Sequence, residues 1–218
     1  MSSIKKVIIL KKYFDKLFVI HLPERKDRAK SMKVELSKIG WEYSLFPAID
    51  GSLQNPVTQR MSGGRLGCLL SHLALLNIAR DSGFGGIAVF EDDVECSASF
   101  DDDFNMYHSN IPDDWDMIYF GVNHIIPPTS VAEGVCRITR GYTSHAYIIR
   151  DTLYDRAVEL LGNEQHPVDV YYSMLHSEIN AYCFSPPLIW QRDGISDVTG
   201  AWVSNKKLIK KINMDNKS

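Results

Sequence analysis

Three consecutive carboxylates follow the apolar run IAVF in the segment IAVFEDDVE, where they occupy positions 91 to 93. The apolar run before them has the length and composition of a buried strand. Like charges this close repel one another, so either water solvates the cluster or a cation neutralises it. If the backbone stays extended after Phe90, Glu91 and Asp93 project together and Asp92 points the other way. The spacing therefore predicts a carboxylate pair.

Glu91 and Asp93 are candidate metal ligands. Mg²⁺ and Mn²⁺ prefer hard oxygen donors and complete their shells with water and substrate phosphates, so two adjacent carboxylates suit either ion. The residues alone leave an alternative open, in which Asp92 and Asp93 cap a following helix or face solvent, as most acidic runs do.

Two arginines follow the apolar run at residues 17–22, and they are candidates for binding an anion. Arg25 and Arg28 are three residues apart, so both could face a ligand from the first turn of a helix, where backbone N–H groups also favour anions. A solvated basic face that includes Lys26 would give the same pattern. Arg25 lies nearer the end of the predicted strand.

Small and polar residues interrupt two further apolar segments. In GRLGCLLSHLALL, Gly67 permits close backbone approach, and Ser71 and His72 lie in the middle of a predicted helix. A histidine there is either a ligand-binding group or a core residue bonded to a neighbour. His145 precedes a predicted strand and could reach a ligand or the metal, although polar residues before strands also form turns.

Four residues in the second half of the chain complete the candidates. Asp169 falls in the first turn of a predicted helix, where the helix dipole stabilises a carboxylate whatever its function. Asp116 flanks another predicted strand. Gln191 and Ser196 belong, together with Asp197, to a polar loop that could close over a ligand or supply a metal ligand, and an ordinary surface turn would look the same.

Six segments of the chain, in this order, resemble glycosyltransferase family 25, the lipopolysaccharide and procollagen-type galactosyltransferases. They extend over about residues 17 to 198 and are FVIHLPERKDR, GRLGCLLSHLALL, FEDDVE, SHAYIIR, HPVD and PPLIWQRDGISDV. The resemblance implies a GT-A type, Rossmann-like fold for binding nucleotide sugars. It also implies a divalent metal, Mn²⁺ or Mg²⁺, and inversion at the anomeric carbon.

The acidic segment EDD looks like the D-x-D motif of that fold, with Glu91 in the first position and most of the metal-binding role on Asp93. The resemblance implies a donor such as a UDP-hexose, with galactose or glucose as the sugar, and a glycan or hydroxylated acceptor. Lipopolysaccharide or other glycan biosynthesis is the implied context. The candidates for binding this donor are Arg25, Arg28, Gly67, Ser71, His72, His145, Gln191 and Ser196.

Inverting transfer also needs a base on the face opposite the leaving group. Asp169 is the first candidate for that base, and Asp116 is its competitor. Two other functions compete with transfer. A chain of this fold could bind a sugar or nucleotide sugar without catalysis. A glycoside hydrolase also uses two carboxylates, but they flank the scissile bond separately, whereas Glu91 and Asp93 are close together in the sequence.

The elements that must position these residues alternate between strands and helices. Apolar runs predict strands at residues 17–22, 45–49, 87–90, 115–120 and 146–149, and helical spacing predicts helices at 29–39 and 65–80. This alternation predicts an α/β architecture with a mostly parallel central sheet. In such sheets ligands bind beyond the carboxyl ends of the strands, where the acidic cluster would lie.

Composition narrows the class of protein further. The chain has 218 residues, of which 44% are hydrophobic, enough for one core, so residues 1–204 are predicted to form a single domain. A net charge of −3 lacks the basic field of a non-specific nucleic-acid binder. The four cysteines contain no C-x-x-C pair, which favours free thiols in a reducing compartment.

The two ends of the sequence carry lysines. The apolar run at residues 7–10 is too short for a signal sequence or a membrane span, which predicts a cytoplasmic protein. Residues 205–218 mix lysines with leucine and isoleucine, and they are predicted to be a flexible basic tail. Such a tail could also contact the inner face of a membrane peripherally.

Overall fold

The computed structural model describes residues 9–55, 61, 63–197 and 200–204, so the basic tail at 205–218 lies outside the described residues. The helices are α1 (Lys26–Ile39), α2 (Gly64–Asp81), α3 (Phe100–Tyr107), α4 (Tyr154–Leu161) and α5 (Val168–Leu175). The strands are β1 (Lys16–His21), β2 (Ser44–Pro47), β3 (Gly86–Glu91), β4 (Val94–Cys96), β5 (Met117–Tyr119), β6 (Asn123–Ile126), β7 (Thr129–Ala132), β8 (Val135–Arg137), β9 (Arg140–Tyr142), β10 (Ala146–Arg150), β11 (Ala181–Phe184), β12 (Ile189–Gln191), β13 (Gly194–Ile195) and β14 (Trp202–Val203).

Eight strands form the central sheet in the order β2-β1-β3-β10-β5-β11-β8-β7. β1 is parallel to both β2 and β3, and β5 is parallel to β11. β10 and β8 run in the opposite direction to the other strands of this sheet. The predicted α/β architecture with a mostly parallel sheet is therefore confirmed.

Helices cover both faces of the sheet, which explains the continuous apolar run before the acidic cluster. Ile87 and Val89 pack with α2, α4 and α5, whereas Ala88 and Phe90 pack with α1, α3 and Trp41. A strand buried on both faces has no reason to alternate apolar with polar residues. Successive side chains still leave on opposite faces, and this alternation sets where the first two carboxylates point.

Helix α1 ends where its sequence predicted. Gly40 adopts a left-handed conformation with φ of 61°, and its N–H bonds to the carbonyl of Leu36. Glycine adopts this conformation without the penalty that a Cβ atom brings. No helix in the described part of the chain is both long and apolar enough to cross a membrane.

Candidate active site

The acidic cluster lies at the carboxyl ends of the parallel strands β1 and β3, as predicted. Glu91 ends β3 on the face covered by α2, and Asp92 points towards α1 on the other face. The expectation that the backbone stays extended after Phe90 is wrong, because Asp92 and Asp93 form a turn that leads into β4. β4 then pairs with β12, and this pairing brings Gln191 opposite Val94.

Asp92 is paired with a histidine and an arginine of the protein itself. Its carboxylate is 2.7 Å from Nδ1 of His21, at the end of β1, and 2.8 Å from a guanidinium nitrogen of Arg28. Asp92 is only 6% exposed, so it neither faces solvent nor caps a helix as the alternative reading supposed. Buried carboxylates require such pairing because desolvation strongly disfavours an isolated charge.

The negative charge of Asp93 is less fully compensated by neighbouring groups than that of Asp92. Burial, and after it the negative charge of Glu91, raise the pKa of Asp93 to about 7. Arg28 contacts one of its oxygens at 3.5 Å, and Gln191 hydrogen-bonds to the side chain. Its Oδ1 is buried and has no hydrogen-bond partner among the described residues. A cation beside Asp93 and Glu91 would relieve both the repulsion and the unsatisfied oxygen.

Glu91 accepts a hydrogen bond from the Ser144 hydroxyl at 2.7 Å, and its Oε1 is 3.6 Å from Nε2 of His72. Burial acts to raise the pKa of Glu91, but interactions with His72 and Ser144 outweigh it and leave the pKa below its usual value. Of the two candidate metal ligands, Glu91 is therefore ionised at neutral pH, whereas Asp93 titrates near neutrality.

Arg25 and Arg28 lie at the amino end of α1, beside the acidic cluster. Both contact Asp197 of the segment between β13 and β14, and Arg25 also bonds to Asp27. The two arginines line a cavity of about 250 Å³ together with Asp92, Asp93 and Trp202. The structure thus brings both predicted arginines into one cleft with Asp92 and Asp93.

His145 reaches the cluster because β10 is antiparallel to β3. In this orientation the amino end of β10 lies beside the carboxyl end of β3, where the carbonyl of His145 accepts the N–H of Glu91 at 2.8 Å. The His145 ring is buried and bonds to the Thr143 hydroxyl and the Ile189 carbonyl. Burial lowers its pKa even though Glu91 acts in the opposite direction, so the ring is neutral.

Asp169 lies in the first turn of α5, close enough to Glu91 for the two charges to interact. Burial is the main cause of its raised pKa, and the charge of Glu91 adds to it. Its Oδ1 accepts the N–H of Val170 at 2.9 Å. A carboxylate with a raised pKa is a stronger proton acceptor.

Asp116 lies at the opposite edge of the sheet, so it does not join the acidic cluster. It precedes β5, which runs in the same direction as β3, and residues before such strands lie at the amino edge. Its carboxylate bonds to the Thr152 hydroxyl and the Asn180 N–H, each at 2.9 Å. The prediction that Asp116 competes as the base fails for this topological reason.

Gly67 and Ser71 make packing contacts on α2 instead of facing the cleft. A Cβ atom at Gly67 would lie 2.3 Å from the carbonyl oxygen of Ile49. The Ser71 hydroxyl donates to the Gly67 carbonyl and accepts the Ile49 N–H. These contacts hold α2 against the chain after β2, and they account for both residues without a ligand.

Of the predicted loop residues, Gln191 ends β12 and Ser196 directly follows β13. Gln191 bonds to Asp93, as described above, and the N–H of Ser196 bonds to the Ala201 carbonyl at 3.0 Å. Ser196 is adjacent to Asp197, the partner of both arginines. The loop therefore meets the acidic cluster through Gln191 and the arginines through Asp197.

Two residues of the site were not among the sequence predictions. His21 lies at the carboxyl end of β1, and its position after a predicted strand was the available signal. Cys68 precedes His72 by four residues on α2, the spacing that places two helical side chains side by side. The ligand atoms of Cys68, His72 and Glu91 lie within 4.8 Å of one another.

The described fold and site define an α/β protein with a carboxylate cluster and an arginine-lined cleft at the carboxyl edge of its sheet. The family model described as Glycosyltransferase family 25 (LPS biosynthesis protein) matches residues 14–126, just over half of the chain. The chain belongs to glycosyltransferase family 25.

Individual relatives are about a quarter identical to this chain over the aligned residues. The probable inactive glycosyltransferase 25 family member 3 of Bos taurus is 27% identical over 161 residues, which cover 62% of this chain and 27% of that protein. Procollagen galactosyltransferase 2 of Homo sapiens is 25% identical over 195 residues, which cover 76% of this chain and 31% of that protein. The chain spans about a quarter to a third of the length of these relatives.

One solved structure has a similar fold. It is described as a glycosyltransferase involved in the glycosylation of the major capsid of PBCV-1. The TM-score is 0.52 at 10% sequence identity, and the match covers 91% of this chain and 98% of that one. At this identity the likeness concerns the fold alone.

Proposed function

We propose that this protein is an inverting glycosyltransferase that moves a hexose, galactose or glucose, from a UDP-sugar to a glycan or hydroxylated acceptor. The observation that carries the proposal is the pairing of Glu91 with Asp93 at the carboxyl edge of the sheet, beside two arginines. Membership of glycosyltransferase family 25 supports this class of reaction.

A divalent cation, Mn²⁺ or Mg²⁺, fits Glu91 and Asp93. Asp93 Oδ1 is a buried oxygen without a partner in the described residues, and the raised pKa of Asp93 shows that its charge is poorly compensated. Carboxylate oxygens are the ligands that both ions prefer. When bound, the metal supplies positive charge that stabilises a departing diphosphate.

Arg25 and Arg28 would bind the diphosphate from the amino end of α1. Both already contact carboxylate oxygens of Asp197, so the positions suited to phosphate oxygens are occupied by an anion of the protein itself. Donor binding would exchange these contacts for contacts with phosphate. Guanidinium groups suit this exchange because they bind carboxylates and phosphates alike through two parallel N–H groups.

Asp169 would accept the proton of the acceptor hydroxyl. It belongs to α5 and not to the acidic turn, so it is separate from the groups that would hold the diphosphate. Its raised pKa favours proton uptake as the new glycosidic bond forms. The uncharged His145 adds no positive charge beside Glu91, which keeps the carboxylate pair available for a cation.

The test is release of UDP from UDP-galactose and UDP-glucose, measured with small saccharides and hydroxylated peptides as acceptors. We expect Mn²⁺-dependent release from one donor, and its loss in Asp93→Asn. Release that persists undiminished in Asp93→Asn would refute the metal assignment. Absence of release with every donor and acceptor would argue against transfer.

A second candidate is a catalytically inactive protein that binds a sugar or nucleotide sugar. The similarity to relatives named as inactive members of the family favours it. This candidate predicts saturable binding of a UDP-sugar without turnover, and the two functions are therefore separated by measuring binding and UDP release on the same preparation.

A further inference from the structure

Helix α2 presents a sulfur and a nitrogen ligand to the end of β3. Cys68 and His72 lie one turn apart, and one potential ligand atom from each lies within 4.8 Å of the others and of a Glu91 oxygen. This set of thiolate, imidazole and carboxylate differs from the all-oxygen shell of Mg²⁺ or Mn²⁺. It is typical of Zn²⁺, which binds cysteine, histidine and acidic side chains.

His72 is oriented as a metal ligand would be. It is completely buried, and its Nε2 has no hydrogen-bond partner in the described part of the chain. Its Nδ1 is 2.8 Å from the hydroxyl of Tyr147, which is itself 3.0 Å from the hydroxyl of Tyr172. When Nδ1–H donates to Tyr147, the lone pair of Nε2 faces Glu91 and Cys68.

The contacts behind these ligands match those of known metal sites. A metal-bound histidine donates its other N–H to a neighbouring acceptor, and this bond fixes the tautomer and the ring orientation. Tyr147 provides that acceptor for His72, and Ser144 orients Glu91 through its 2.7 Å hydrogen bond. A core histidine without a ligand would leave the buried Nε2 unsatisfied, which is unfavourable.

We propose that Cys68, His72 and Glu91 bind a thiophilic divalent ion of the Zn²⁺ class, with a fourth position open. Binding replaces the thiol proton of Cys68 with the metal and releases that proton to solvent. The site does not depend on sugar transfer, but it shares Glu91 with the proposed Mn²⁺ site. The two ions therefore compete, and Zn²⁺ is expected to inhibit any Mn²⁺-dependent reaction here.

Cobalt reports this site directly, because a bond between Co²⁺ and thiolate gives a near-ultraviolet charge-transfer band that oxygen and nitrogen ligands do not give. We expect the reduced full chain to develop this band with one equivalent of Co²⁺ and to lose it when Zn²⁺ is added. Cys68→Ser should abolish the band. Cys136→Ser is the matched control, since Cys136 is also a half-buried free cysteine, and it should retain the band.

Two further variants test the contacts around the ligands. Tyr147→Phe removes the acceptor for His72 and should weaken Co²⁺ binding by roughly tenfold, with the band itself retained. Asp93→Asn should leave the cobalt band intact while it removes Mn²⁺-dependent donor binding. The failure of this proposal and the failure of the proposed function are thus distinguishable.

If Cys68→Ser does not fold, the proposal is tested instead by the rate at which Cys68 is alkylated in the unaltered chain. Zn²⁺ should slow alkylation of Cys68 by iodoacetamide at least tenfold and leave the rate at Cys136 unchanged, as followed by peptide mass spectrometry. A band that survives in folded Cys68→Ser, the lack of any band in the unaltered chain, or alkylation of Cys68 that Zn²⁺ does not slow would overturn the proposal.

Discussion

Asp92 and Asp93 are neighbours in sequence, yet the structure gives them opposite tasks. Asp92 is buried against His21 and Arg28, with which it forms hydrogen bonds, whereas Asp93 keeps an oxygen that has no hydrogen-bond partner among the described residues. The residue types made Glu91 and Asp93 a candidate pair, although the extended backbone assumed for them is in fact a turn at Asp92 and Asp93. The residue types could not predict the partners of Asp92, since His21 is 71 residues away and the two meet only when β1 and β3 pair.

Separate substitution of Asp92 and Asp93 distinguishes a residue that stabilises the fold from a residue that would bind the metal. Asp93→Asn should abolish metal-dependent transfer and leave the free energy of unfolding unchanged or about 1 kcal/mol higher, because it removes a poorly compensated charge. Asp92→Asn should cost about 3 kcal/mol of stability, because it removes the buried carboxylate that pairs with Arg28 and His21. Urea unfolding and UDP release measure the two effects. Equal losses of stability in both variants would contradict the distinction.

Asp169 provides a second prediction for a single residue. Asp169→Asn should lower kcat by at least a hundredfold and change donor affinity little, because a base acts in the transition state and not in donor binding. Steady-state kinetics with calorimetry of donor binding gives both quantities. If the variant weakens donor binding and leaves kcat unchanged, Asp169 is a binding residue instead of the base.

Strand direction decides which predicted residues meet. The apolar runs predicted β1, β3, β5 and β10, but no pattern within a run specifies whether the strand is parallel to its neighbours. Because β10 is antiparallel, His145 lies at the site, and because β5 is parallel to β3, Asp116 lies at the far edge. Strand direction follows from the packing of the whole chain, which explains why His145 lies beside the acidic cluster and Asp116 does not.

The start of α2 offers a test of how an element is positioned. Gly67→Ala should destabilise the protein by about 2 kcal/mol, because the added Cβ would lie 2.3 Å from the carbonyl oxygen of Ile49, a backbone atom with little freedom to move. In an unconstrained helix the same change would be stabilising by about 1 kcal/mol. Gly85→Ala is the control, since its nearest contact is the Asp15 side chain at 3.7 Å. Thermal unfolding that ranks Gly85→Ala as the less stable variant would contradict this packing.

Buried histidines affect the stability of the molecule as a whole. Burial, together with the nearby His124, lowers the pKa of His176 to about 4, compared with about 6.5 in the unfolded chain. Between these values the unfolded state binds more protons, so stability falls as pH falls from about 6.5 towards 4. For His176 alone, the loss at pH 5 is about 2 kcal/mol.

The contribution of His176 is measured as the difference between the stability–pH curves of the unaltered chain and of a His176 variant. A single curve would not suffice, because the raised pKa of Asp93 makes stability rise as pH falls. His176→Gln can keep a hydrogen bond to the Tyr119 hydroxyl, which the native ring contacts at 3.1 Å. Between pH 7 and pH 5, the variant should lose about 2 kcal/mol less stability in urea than the unaltered chain. Parallel pH profiles for the two proteins would show that the histidine does not titrate as described.

At the scale of the molecule, composition and the ordered motifs identified the fold class and the family. The arrangement of the cleft depended on contacts that the sequence does not display, such as Asp197 bridging to Arg25 and Arg28 from the carboxyl end of the chain. Those contacts join segments that are about 170 residues apart, and only the folded chain brings them together.

Calorimetry of donor binding tests the central proposal most directly. The protein and its Asp93→Asn variant would be titrated with a panel of UDP- and GDP-sugars, first with Mn²⁺ and then with EDTA. We predict that one UDP-sugar binds the unaltered protein only when Mn²⁺ is present, and that the variant binds none. Binding that is the same with Mn²⁺ and with EDTA, or no binding of any donor, would contradict a metal-dependent donor site at Glu91 and Asp93.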